Sequence, residues 1–135
     1  MANEAVIIEL IEGGVPINWT VANAGAIAKG ALLKIVSGGV DRLVVASAAD
    51  NDPFGGVVAA EKVANDGSTT ISAWTKGIFD IRGSAAITAG ERVSLSGANT
   101  VTKVVAADLL FSNVGICLET SAGAETMAVF VGHGG

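Results

Sequence analysis

Short apolar stretches of roughly five to seven residues recur at spacings of about ten, separated by Gly, Asn, Asp and Ser, the spacing of strands and turns in an all-β chain. The pattern predicts eleven strands: Ala5 to Ile11, Val15 to Val21, Ala31 to Val36, Arg42 to Ser47, Gly56 to Glu61, Thr69 to Thr75, Ile78 to Ile81, Arg92 to Leu95, Val101 to Val105, Val114 to Glu119 and Thr126 to Val131. Ser37-Gly38-Gly39 and Gly97-Ala98-Asn99 supply residues that tolerate positive φ, and Asn65-Asp66-Gly67 holds the Asp-Gly pair favoured in tight hairpins. The Ala-rich piece Val21 to Ala31 is broken by Gly25 and Gly30, so a helical turn is expected only at Ala107 to Phe111.

Shifting the chain by 60 residues exposes an internal repeat. Ala26, Ile27, Gly30, Val44, Val45 and Ala46 fall on identical residues at 86, 87, 90, 104, 105 and 106. With small gaps the match continues: Gly56-Val57 answers Gly115-Ile116, Ile71 falls on Met127 and Trp74 on Phe130. Each half is a four-stranded unit unable to bury its apolar face alone, so the two should close on each other. The expected architecture is an all-β, compact β-sandwich or small β-barrel of two similar four-stranded halves, residues 26–77 and 86–135. Residues 1–25 lie outside the repeat and read as an N-terminal extended arm or accessory hairpin.

Composition changes this picture in one respect. Half of the 135 residues are apolar, only 16% are charged, and mean hydropathy is +0.58. No apolar run approaches the roughly 18–20 residues of a membrane span, so no membrane partner is expected. A monomer of this mass exposes about 6,500 Å², which 8 basic and 13 acidic side chains cover thinly. Part of the surface should therefore be buried against another chain. A net charge of −5, with no basic cluster beside an aromatic face, argues against nucleic acid. The single cysteine, Cys117, cannot form an internal disulfide, and Glu4 and Glu9 spoil a signal-peptide pattern, which points to synthesis in a reducing cytoplasm.

Chemistry is sparse. The one histidine, His133, sits in Gly132-His133-Gly134-Gly135, and Cys117 lies in an apolar strand where a thiol is a small core group rather than a nucleophile. Gly-Lys does not occur, so a P-loop is excluded, as is the Gly-X-Gly-X-X-Gly fingerprint. Asp50-Asn51-Asp52 could hold a weak cation but reads as an Asx turn before Pro53. Glu61-Lys62 and Asp80 with Arg82 read as solvated positions. No catalytic, cofactor or metal residues are assigned, and no enzyme is expected. Surface association is the stronger signal: Val6, Ile7, Ile8, Leu10 and Ile11 make an apolar strand outside the repeat, and Trp19 is a candidate interface anchor. The strand is either an ordinary core strand or an arm that adds to a partner's sheet.

Certain passages resemble the small Gly/Ala-rich capsid decoration, or cement, proteins of tailed bacteriophages. They are Ala86-Ile87-Thr88-Ala89-Gly90-Glu91-Arg92-Val93, Asn113-Val114-Gly115-Ile116-Cys117-Leu118-Glu119 with Ala122-Gly123, the closing strand Met127 to Val131, and Gly77-Ile78-Phe79-Asp80-Ile81. The resemblance implies a β-rich virion protein without catalysis that docks on the outside of the capsid and stabilises it. Its implied partners are the major capsid protein and further copies of itself, as a homotrimer. A head-fibre base, or a small carbohydrate-binding or adhesive β module, is the alternative reading.

Overall fold

The computed structural model describes residues 4–10, 16–36, 41–49, 52–104 and 112–132. Among these residues eleven strands follow one another: β1 (Val6–Leu10), β2 (Ile17–Thr20), β3 (Leu32–Ile35), β4 (Val44–Ala46), β5 (Phe54–Val58), β6 (Thr70–Trp74), β7 (Gly77–Gly83), β8 (Arg92–Leu95), β9 (Thr100–Lys103), β10 (Asn113–Cys117) and β11 (Thr126–Val131). The fold is all-β, as the periodicity predicts. The helical turn expected at 107–111 and the turn at 37–39 lie outside the described residues.

Two sheets share one plan. The first runs β2-β6-β5-β3-β4; the second runs β7-β11-β10-β8-β9, with β1 added on the outer side of β7. Parallel pairing of Arg82 with Thr100 and Gly83 with Val101 joins β7 to β9 and closes the second sheet into a five-stranded barrel. In the first sheet a single parallel bridge, Thr20 to Leu43, joins the two ends. Closure removes most of the open edge that a sheet of this size would otherwise present.

Ladder registers show which residues occupy equivalent places. Leu33 pairs with Gly56 as Val93 pairs with Gly115, and Val57 pairs with Trp74 as Ile116 pairs with Phe130. The turn ahead of each third strand is also repeated. Ile27 bridges Lys62 as Ile87 bridges Ser121, and Gly30 and Gly90 have φ of 86° and 94°, each N–H donating to the last carbonyl of its neighbouring strand, Val58 or Cys117.

One part of the sequence alignment is out of register. Ile35 pairs with Val44 and Leu95 with Val101, so Val44 corresponds to Val101 and not to Val104. The connection from Leu95 is shorter, and the identities at 104–106 are fortuitous in a chain this rich in Val and Ala. The equivalence also reaches further toward the N-terminus than the identities do. Trp19 pairs with Ile71 as Ile81 pairs with Met127, so β2 matches β7, and among the described strands β1 is the one without a counterpart. The fifth strand begins at Phe54 rather than Gly56, with Gly55-Gly56 forming a bulge within it.

Alternation along the strands builds two packed interiors. Val21, Ile27, Leu33, Val44, Val58 and Ile71 fill the first barrel; Phe79, Ile81, Val93, Val101, Met127 and Val129 fill the second. Each fully buried aliphatic side chain contributes on the order of 1.5–3 kcal/mol. Neighbouring residues on the same strands face the other way: Leu32 and Val57, with Phe54 and Trp74, leave the first barrel's interior and join the second's core. This face is where the halves meet. Around it the Leu32 N–H donates to Asn99 Oδ1 (2.9 Å) and Ser47 Oγ donates to the Gly97 carbonyl (2.9 Å), which satisfies polar groups that the contact buries.

Candidate functional site

β1 is a paired edge strand whose first three side chains are exposed. It runs antiparallel to β7, Val6 opposite Asp80 and Ile7 opposite Phe79, then shifts register so that Glu9 meets Ile78 and Leu10 meets Gly77. The bulge falls at Ile8. Ala5, just ahead of the strand, enters the core. Val6, Ile7 and Ile8 are 59%, 36% and 52% exposed, a run of three large apolar side chains on a sheet edge. Leu10 is held in the strand by its backbone, and Ile11 lies outside the described residues.

The other end of this edge is anchored to the first half. Ala5 N–H donates to the Gly30 carbonyl at 2.6 Å, and a Cβ on Gly30 would collide with the Ala5 carbonyl and come within 2.9 Å of Glu4 Cβ. Between β1 and the first barrel runs a groove of about 370 Å³, lined by Glu4, Ala5, Val6, Ile7, Lys29, Gly30, Val57 and Val58. It is an apolar trough beside an edge strand, able to receive a side chain of an adjoining segment.

Trp19 is set apart from β1, on the edge strand of the first sheet. Its ring packs half-buried against the first barrel's core, with the Arg42 guanidinium 5.3 Å from the ring centroid. Arg42 also donates to the Asn18 carbonyl, and Pro16, with no N–H to offer, lies just before the strand. These two residues blunt the edge that on β7 carries β1. The Trp19 Nε1 is buried without a hydrogen-bond partner among the described residues. The structure therefore gathers Val6, Ile7 and Ile8 on one strand and places Trp19 in the other sheet.

Elsewhere the polar groups serve the fold. The Asp52 carboxylate accepts from the N–H groups of Ala48 (3.2 Å) and Ala49 (3.1 Å) and from Lys34 Nζ (3.5 Å). Burial opposes its ionisation, but these donors outweigh burial and hold its carboxyl below the ordinary range. Asp50 and His133 lie outside the described residues, and among those described no three His, Cys, Asp or Glu side chains gather as metal ligands. Burial pushes the Cys117 thiol up, against nucleophilic use, and its Sγ donates to the Glu119 carbonyl.

Lys62 corrects the sequence reading, which placed it in solvent. It is 3% exposed, and its ammonium donates to the carbonyls of Asn23 (2.8 Å) and Val63 (3.0 Å) and to Asp66 Oδ1 (3.0 Å). Nothing in its local pattern distinguishes it from a solvated lysine, because the carbonyls come from the turn and from a segment 39 residues away.

No helix among the described residues is long and apolar enough to cross a membrane. No curated protein matches the chain. The family model for phage cement proteins matches residues 11–133, which takes in both barrels and begins just after β1. A match of that length places the chain in the phage cement protein family.

Proposed function

We propose that this chain binds the outer surface of the capsid through the β1 edge and reinforces the shell there. Membership of the cement family gives it a structural, capsid-stabilising role and a place in the virion. The observation that carries the finer reading is the exposure of Val6, Ile7 and Ile8 on one edge strand beside an apolar groove. The partner is the major capsid protein, and the docked species is a self-associated form, a homotrimer. Main-chain groups along the β1 edge would give affinity and the groove would select the side chain that enters it. Modest affinity per contact suffices where copies act together on one shell.

The test compares the full chain with two variants for co-sedimentation with stripped mature shells. One lacks Met1 to Ile11; the other carries V6S, I7S and I8S together. Both should melt as cooperative folded proteins and both should lose most shell binding. Undiminished binding by either folded variant contradicts a docking role for the strand.

A further inference from the structure

Three consecutive residues of the first half carry three attachments to different parts of the molecule. Gly30 N–H donates to the Val58 carbonyl (2.9 Å), inside its own barrel. The Gly30 carbonyl accepts from Ala5 N–H (2.6 Å), at the entrance to β1. Leu32 N–H donates to Asn99 Oδ1 (2.9 Å), in the second half. β1 itself is laddered to β7, with Ile7 opposite Phe79, and Phe79 shares one core with Ala5, Leu32 and Val57. The start of β1 is therefore tied to the first barrel and its length to the second, beside the place where the barrels touch.

The equivalent glycine separates two requirements. Gly30 and Gly90 have nearly the same positive φ, 86° and 94°, which their shared turn demands. A Cβ on Gly30 would also collide with the Ala5 carbonyl and come within 2.9 Å of Glu4 Cβ, whereas one on Gly90 meets no atom of the described residues within 4 Å. Gly30 thus keeps room for the chain that enters β1, in addition to making the turn.

The geometry points to a conformational device: the segment from Glu4 to Leu10 is a clasp that holds the two barrels in one orientation, and it opens and closes as a unit with their contact. Seating the clasp requires the Ala5 bond to one barrel and the β7 ladder to the other at the same time, so it is fully seated when the barrels are together. The coupling is reciprocal, and loosening either contact loosens the other. On the other side of the contact, Ser47 Oγ donates to the Gly97 carbonyl (2.9 Å) and accepts from Asn99 N–H (3.4 Å). The groove beside β1 takes one wall from the clasp, Glu4 to Ile7, and the other from Gly30, Val57 and Val58, so opening the clasp parts its walls. The clasp is a property of the free chain and stands apart from capsid docking.

Amide hydrogen exchange on the full chain, without shells, tests it from both sides. Asn99→Gly keeps the freedom for positive φ and removes the side chain that holds Leu32; exchange at Ala5 N–H should rise at least about tenfold. Gly30→Ala crowds the clasp, and exchange at Asn99 N–H should rise by a similar factor. Ile35 N–H, bonded to the Pro53 carbonyl, and Cys117 N–H, bonded to the Glu91 carbonyl, report on each barrel and should keep their protection. Gly90→Ala carries the same positive-φ cost and should leave Ala5 protected. Unchanged Ala5 exchange in Asn99→Gly, unchanged Asn99 exchange in Gly30→Ala, or release of Ala5 by Gly90→Ala would overturn the clasp. Should Gly30→Ala lose its fold, Ser47→Ala replaces it: faster exchange at Ala5 supports the coupling and unchanged exchange overturns it.

Discussion

The two barrels have the same strand order, the same glycine-led turns and the same ladder registers, yet different surroundings. In the second, β1 covers part of the outer edge of β7. In the first, the equivalent edge of β2 is uncovered by any strand among the described residues and is blunted by Pro16 and by Arg42 over Trp19. Leu32 and Val57, with Trp74 against them, join the second half's core, whereas at the equivalent places Ile116 and Phe130 are half-buried and Arg92 is exposed. Shared residues maintain the barrel; the residues that differ between halves decide what each surface meets.

The largest effect should come where both halves depend on the same constraint. A Cβ on Gly115 would collide with the Phe130 carbonyl, and one on Gly56, at φ 131°, would sit 2.7 Å from the Trp74 carbonyl. These are backbone atoms of the adjoining strand and cannot rotate away. Gly115→Val should cost about 4 kcal/mol or more and Gly56→Val a similar amount, measured by denaturant unfolding. Tolerance of valine at either position would separate the halves where the registers make them alike.

Next comes a pair on which the halves should disagree. Trp74→Ala removes a ring packed against the second core and should cost about 3 kcal/mol. Phe130→Ala, at the equivalent and likewise half-buried place, removes a smaller ring and should cost somewhat less. Equal losses would show that the two rings are packed alike despite their different surroundings.

A smaller effect is confined to the first half and depends on pH. Backbone donation from Ser68, then the Lys62 ammonium, hold the Asp66 carboxyl below its ordinary range, and Asp52 is lowered as well. Carboxyls with lowered folded-state values contribute stability that is complete above the unfolded-state value near 3.9 and is lost as pH falls through the folded-state value. Melting temperature should therefore fall between about pH 5 and about pH 2, and Asp66→Asn should flatten that fall. An unchanged acid profile in Asp66→Asn would show that the Lys62 contact does not couple to folding.

Much of the fold is legible in the sequence because strands of this kind announce themselves locally. Apolar alternation and Gly or Asx turns mark all eleven, and Asn65 and Asn99 take the positive φ their turns suggest. Misread features depend on partners distant in sequence. The strand predicted from Gly56 begins at Phe54, because only the pairing with β3 shows the bulge at Gly55-Gly56, and Val44 aligns with the wrong valine because the connection between the paired strands changes length. The β2–β7 equivalence has no identity to reveal it, since Trp19 stands where the second half has Ile81. For the candidate site, the apolar character of Val6 to Ile8 is plain in the sequence. That they lie on a strand paired in cis and yet exposed is a property of the sheet edge.

Co-sedimentation of the full chain with mature shells stripped of it, counting bound copies against the major capsid protein and then heating the shells, tests the central claim most directly. Binding should saturate at a fixed ratio set by the shell's symmetry, and decorated shells should withstand higher temperature or lower salt than bare ones. Absence of saturable binding, or bound shells no more resistant than bare ones, would contradict it.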